Sequence, residues 1–350
     1  MDLKTLTQLS GVSGNEIAVR KAVYEACKPL CDNVTIDKMG NVLAFKKGTK
    51  ANAPHVALAA HMDEVGFIIT SATEEGLLRF LPIGGVDPRV VISKQVLVGE
   101  EKIPGIIGAM AIHLQTPEDR QRVLGYTDLY IDIGAKTKED ALKNCDVGSY
   151  VVFDSPYTEF GEGFVMTKAL DDRVGCYTLL ETLKEEYPVD ITCIFNTSEE
   201  VGCRGAEGSA YATDSQIALI LEGTTCNDMG DVAEGEKVCR AGKGVTVSFM
   251  DNASIGYVPL YKALLALGKE KGIACQKKES VSGGNESVSF QQSKGGQATC
   301  AVSVPCRYIH GPSSVASLAD IQAQLELVKA FLHSEIPQEI VNGINGKEQK

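Results

Sequence analysis

The chain contains no tryptophan, and aromatic residues of all kinds make up only 6% of it. It has no C-x-x-C pair, although eleven cysteines are scattered along its length. The odd number and the lack of spacing argue against a disulfide framework and for reduced thiols. No apolar stretch approaches the roughly 18 residues that a membrane helix needs. The opening MDLKTLTQLSGVSGNE has no basic head followed by an apolar block, so no signal peptide and a cytoplasmic location are expected. Positive charge is also in deficit: 34 Lys and Arg against 46 Asp and Glu leave a net charge of −12. A nucleic-acid partner favours a basic face, so none is expected. What is present is ordinary for a folded chain. Of 350 residues, 44% are apolar and 23% charged, which excludes a wholly disordered or collagen-like protein. Such a length suits about two domains.

The pattern along the chain changes twice. Residues 15–27 read as a helix, followed by short strands at 33–37 and 41–45. Residues 56–60 are apolar without alternation, as in a strand buried on both faces, although a buried helix segment can look the same. After Gly66 come six β-type runs, at 67–70, 77–81, 95–98, 103–107, 129–133 and 150–153, punctuated by Gly and Pro. Closely spaced strands with turn signals predict a small β-barrel or sandwich, here with one helix at 138–144. From about residue 165 helix and strand alternate again: a helix at 172–186, strands at 191–196 and 217–221, a helix at 258–271, a strand at 298–304 and a helix at 317–333. Ser317 and Asp320 have the spacing of a capping box at that last helix. Residues 343–350 read as a frayed polar tail. Alternating elements imply an α/β fold with a mostly parallel sheet. The expected organisation is therefore an α/β domain from 1–67 and 161–350, interrupted by a β insertion at 68–160.

Few residues have a context that suggests chemistry. His61 stands out among five histidines because it ends the apolar run in AAHMDEVG, at the carboxyl end of a strand. Open α/β sheets bind ligands at that edge. Asp63 follows at a spacing that lets a carboxylate hold the second imidazole nitrogen of a metal-bound His. A loop His beside an N-cap Asp is the plainer explanation. Glu199 and Glu200 follow another apolar strand, and adjacent side chains in extended backbone point opposite ways, so one could bind a metal while the other handles a proton. Asp171-Asp172 opens a helix, where acidic charge is favourable without any further role. Glu222 directly follows the strand at 217–221, and His310 lies in the loop after the strand at 298–304. There is no phosphate loop and no G-x-S-x-G elbow.

Taken together these residues form a plausible two-metal set. Asp171 would bridge, with His61 and Glu222 on one metal and Glu200 and His310 on the other. Two divalent cations carry +4, and three carboxylates with one bridging hydroxide carry −4, so a buried site can be neutral. Mixed nitrogen and oxygen ligation suits Zn, Co or Mn rather than Ca or Mg.

The chain resembles the tetrahedral (TET) aminopeptidases, dinuclear-metal glutamyl- and leucyl-type exopeptidases also called cellulase M. The resemblance is carried by LSGVSGNE (9–16), AAHMDEVGFII (59–69), GGVDPRVVISKQV (84–96), DLYIDIGAKTKEDA (128–141), KALDDRVGCYTLLETL (168–183), SEEVGCRGA (198–206), LEGTT (221–225) and YIHGPSS (308–314). It implies a phosphorylase/hydrolase-like, three-layer α/β catalytic domain with an inserted small β-barrel. It implies that His61, Asp171, Glu200, Glu222 and His310 bind two metal ions, that Glu199 is the general base and that Asp63 orients the His61 ring. It also implies a homo-oligomer, a dodecamer built from dimers, acting on short peptides through a metal-bridging hydroxide. Two positions depart from the family. Glu222 stands where Asp is frequent, and keeps its charge and donor type. Gly283-Gly284-Asn285-Glu286-Ser287 replaces the usual GGTDA near the substrate pocket. A glycoside hydrolase would need only two carboxylates. It would leave both histidines idle and lacks tryptophan for sugar stacking. A non-catalytic assembly scaffold would tolerate a missing ligand, and no ligand is missing.

Overall fold

The computed structural model describes residues 1–347. The N-terminal part has helices α1 (Leu3–Gln8) and α2 (Ile17–Cys27), then strands β1 (Asn33–Ile36), β2 (Val42–Lys46) and β3 (His55–His61). Six strands follow: β4 (Gly66–Ala72), β5 (Leu78–Ile83), β6 (Gln95–Val98), β7 (Ile103–Gly108), β8 (Tyr130–Asp132) and β9 (Tyr150–Phe153), with α3 (Lys138–Asn144) before the last. They close into a barrel in the order β4-β5-β8-β7-β6-β9. Closure removes the exposed edges that an open small sheet would present. Phe67, Phe80 and Phe153 fill the interior with edge-on ring contacts.

The chain then returns through β10 (Thr158–Phe160) and β11 (Phe164–Thr167) to α4 (Leu170–Thr182), β12 (Asp190–Asn196), α5 (Arg204–Ala212) and β13 (Ile217–Thr225). Next come β14 (Val245–Val247), α6 (Val258–Lys271), β15 (Cys275–Lys277), α7 (Ser287–Gln292), β16 (Ala298–Arg307), β17 (Ser314–Ser317), α8 (Leu318–His333) and α9 (Ile336–Lys347). The main sheet runs β1-β2-β12-β3-β13-β16-β17-β11-β10, and β12, β3, β13 and β16 at its centre are parallel. Those strands are buried on both faces, which explains their continuous apolar runs. One face packs on α2, α4, α6, α8 and α9 through residues such as Val19, Leu179, Leu264, Phe331 and Ile340. The other packs on α5 and α7 through Ala206, Ala210 and Phe290. The result is the three-layer α/β architecture with an inserted barrel.

Three local expectations are corrected. Ser317 makes no side-chain cap on α8. The carboxylate of Asp320 is instead taken by the Gly242 and Gly244 amides, at 2.6 and 2.7 Å, so a distant loop outcompetes the capping box. Residues 343–347 are not a frayed tail but the end of α9, held because Ile336, Ile340, Val341 and Ile344 recur at helical spacing and pack on the core. Residues 348–350 of that expected tail lie outside the described residues. Finally, Asp171 and Asp172 are not in regular helix: their backbone departs from helical geometry before α4 settles into regular turns.

Candidate active site

The parallel strands are in register so that their carboxyl ends form one edge. Asn196 of β12 lies beside His61 of β3, and Glu222 of β13 lies beside Ser303 of β16. Four loops reach over this edge. The turns are tight enough that Ala169, Ser198 and His310 all have positive φ, at 55, 56 and 59°. Each such residue costs about 1–3 kcal/mol, so the surrounding contacts must hold it in place.

These loops gather most of the singled-out side chains. His61 Nε2 lies 3.3 Å from Asp171 Oδ1, and His310 Nε2 lies 3.5 Å from Asp171 Oδ2 and 3.2 Å from Glu200 Oε2. His61, Asp171 and Glu200 each offer an atom within 4.8 Å of the others. Glu199 Oε2 stands 3.9 Å from His61 Nε2, while its Oε1 accepts a hydrogen bond from the Cys203 thiol. Glu222 faces the same cavity of about 160 Å³ but turns its Oε1 to Asn285 Nδ2, at 3.1 Å, and to Ser303 Oγ, at 3.3 Å.

Asp63 is fully buried and ties these parts together. Its carboxylate accepts from the Glu199 and Glu200 amides, at 3.0 and 3.1 Å, and from Ser13 Oγ at 2.6 Å. Its Oδ1 lies 3.5 Å from His61 Nδ1, which also lies 3.2 Å from the Asp63 carbonyl.

Three features were given no role of their own in the sequence. Asp172 is fully buried and accepts from the His61 and Gly175 amides, at 3.0 and 2.9 Å, pinning the end of β3 to the start of α4. A Cβ at Gly175 would lie 2.6 Å from the Asp172 carboxylate, so only glycine leaves room for it. Glu64 is buried between Lys168 Nζ, at 2.7 and 2.8 Å from its two oxygens, and Arg173, at 3.3 Å. Arg173 also donates to the Met62, Leu6 and Leu9 carbonyls. The signal was available: Lys168 and Arg173 bracket Asp171-Asp172, and Glu64 directly follows Asp63. Glu286 is a further buried carboxylate, accepting from Asn196 Nδ2 at 2.8 Å.

The electrostatics of this edge fit a cation. Burial and the neighbouring Asp171 charge push Glu200 up to about 8, and the same two causes raise Glu222 well above the carboxylate range. Burial alone would lower His310, but Asp171 and Glu200 lift it to about 9. Glu200 Oε1 is buried and has no hydrogen-bond partner among the described residues. Converging carboxylates, two imidazoles and an orphaned oxygen are what a borderline divalent metal would satisfy.

The family model of the M42 glutamyl aminopeptidases matches residues 40–327. The solved structure of aminopeptidase APDkam598 from Desulfurococcus kamchatkensis superposes with a TM-score of 0.91 at 33% identity, over 97% of this chain and 95% of that one. The TET1 peptidase of Pyrococcus horikoshii, whose structure shows assembly into a tetrahedron or a large octahedral shell, superposes with a TM-score of 0.83 at 32% identity, over 95% and 98%. The lysyl aminopeptidase of Pyrococcus furiosus is 30% identical over 345 residues, 96% of this chain and 97% of its own. A match running from β2 into α8, with the shared three-layer core and barrel, makes this chain a member of the M42 glutamyl aminopeptidase family.

Proposed function

We propose that the chain is a dinuclear metalloaminopeptidase that removes the first residue from short peptides. His61, Asp171, Glu200, Glu222 and His310 would hold two divalent ions, with Asp171 between them, and Zn or Co suits the donor set best, with Mn as a third option. Bound there, the ions would supply Lewis acidity to the scissile carbonyl and lower the pKa of a shared water. The observation that carries the reading is the ring formed by His61, Asp171, His310 and Glu200, with Glu199 beside it and Glu200 Oε1 unsatisfied.

Glu199 is placed to work as the base. Its Oε2 faces the ring while the Cys203 thiol holds Oε1, so one oxygen is anchored and the other is available. It would take a proton from the attacking water and deliver it to the leaving amine. Asp63 would orient the base through the Glu199 amide and steady the His61 ring.

The segment 68–160 would act in assembly and access as an inserted domain, leaving 1–67 and 161–350 as the catalytic domain. Met110, Ile112, Leu114 and Val123 are exposed on the barrel side, an apolar group that a subunit contact would cover. A closed homo-oligomer, a dodecamer built from dimers, is the arrangement proposed, and it would admit short unfolded peptides. Eleven free thiols suit a reducing compartment, the cytoplasm. Among the described residues no helix is long and apolar enough to cross a membrane.

The test is hydrolysis of an aminoacyl arylamide panel and a soluble cellulose by metal-free protein and by protein reloaded with Zn or Co. Restored arylamide cleavage with two ions per chain supports the reading. Cellulose cleavage, or full peptidase activity in protein shown to be metal-free, overturns it.

A further inference from the structure

Two cavities meet at His310. The one beside Glu199 and Glu222 is small, about 160 Å³, and is also lined by Lys278 and the 282–285 loop. The other is a cleft of about 600 Å³ between the barrel and the core, walled by Asp87 and Lys94 on one side and by Met166 and Tyr308 on the other. Ile309 and His310 line both. Cavities that take a drug-sized ligand measure about 300–1,000 Å³, so the first has room for little more than one side chain and the second for a short peptide.

We infer that the larger cleft holds the two or three residues that follow the scissile bond, and so sets the preferred peptide length. This rests on the aminopeptidase reading of the adjoining site. An enzyme that removes one residue needs unequal sides: a small one for that residue and a larger one for the departing chain. The two cavities have that inequality, and His310 stands on the boundary.

The cleft is built rather than incidental. Ser155 and Ser313 share a hydrogen bond at 2.5 Å, joining the strand that leaves the barrel to the loop carrying His310. Gly311 donates to the Tyr308 carbonyl at 3.1 Å, and Tyr308 and His310 are both held at φ 59°. Gly85 lies against this loop from the barrel side, where a Cβ would meet His310 Nδ1 at an ordinary contact distance of 3.5 Å. Charge inside the cleft is balanced. Asp87 is paired with Arg89, leaving Lys94 and Asp154 with opposite signs. Val90, Met166 and Tyr308 expose apolar surface to it. The chemistry therefore suits a peptide chain with mixed or uncharged side chains, recognised by length and shape more than by charge.

The test uses metal-loaded full-length protein and one series of substrates. The first residue is the one that the arylamide panel favours, followed by an arylamide or by one, two, three or four alanines. KM is expected to fall about tenfold as the second and third alanines are added and then to level off. Val90→Trp and Met166→Trp, two separate fillings of the cleft, should each raise KM for the longer peptides about tenfold and leave arylamide kcat and KM within about twofold. A flat KM across the wild-type series overturns the inference. So does equal loss on arylamide and peptide, or a change in particle size by light scattering with no change in KM, which would make the cleft a contact between copies. Failure of the wild type to cleave any arylamide would sink the peptidase reading first, and the cleft with it.

Discussion

The two parts of this molecule gather different kinds of surface. At the edge of the α/β core, carboxylates and imidazoles converge on one point, and the groups behind them are tied by hydrogen bonds to the buried Asp63. On the barrel side it is apolar surface that is exposed, at Met110, Ile112, Leu114 and Val123. A deficit of charge compensation calls for an ion, whereas a deficit of apolar burial calls for another protein surface. The comparison therefore separates chemistry from assembly, and each half can be attacked alone.

The largest effect should come from removing what completes the core. Asp171→Ala, which takes away the residue facing both His61 and His310, should lose bound metal and all measurable peptidase activity, checked by elemental analysis beside an arylamide assay. Metal binding must also displace protons, because burial and Asp171 raise Glu200 to about 8 in metal-free protein. Affinity for Zn in a competition titration should then rise between about pH 6 and pH 8. Affinity that is flat or falls would contradict the crowded-carboxylate picture.

Glu199→Gln should retain its metals and lose about 10²–10⁴ in kcat, since Gln keeps the shape but takes up no proton. A kcat near the wild-type value would remove Glu199 from the proton transfer.

The supporting charges behind the site come next. Glu64→Gln leaves Lys168 and Arg173 buried and facing each other without their anion. Breaking such a cluster costs about 3–5 kcal/mol, which denaturant unfolding of the metal-free protein would read directly. A loss below about 1 kcal/mol would show that the cluster is better hydrated than its burial implies.

The smallest effect on the folded chain should come from the barrel. Ile112→Lys with Leu114→Lys alters two exposed side chains, so unfolding free energy should move by no more than about 0.5 kcal/mol for each. Particle size by light scattering should nevertheless fall. An unchanged particle would place the subunit contacts elsewhere.

Much of this arrangement was legible beforehand, for reasons that can be named. The apolar run of β3 has no alternation because it is covered on both faces, and that alone put His61 at a strand end. The barrel was visible as short runs separated by Gly and Pro. What escaped was long-range. Asp320 looked like part of a capping box because the competing amides, Gly242 and Gly244, are more than seventy positions away. Asp172 looked like helix charge because nothing local shows that it reaches the backbone of His61 across 111 positions. Lys168 and Arg173 were given no role, because their burial against Glu64 is set by a contact more than a hundred positions away.

One consequence follows from how the barrel is attached. Its first and last strands are partners, with Phe67 opposite Val151, so the insertion leaves and re-enters the core at nearly one point. To the core it is a cassette with a narrow stalk, and such a cassette could be exchanged for a larger or smaller one without disturbing the sheet. The exception is the loop that leaves β5 at Gly84 and Gly85, which lies against Glu200 and His310. Any graft that ignored this loop would keep the fold and lose one wall of the catalytic chamber.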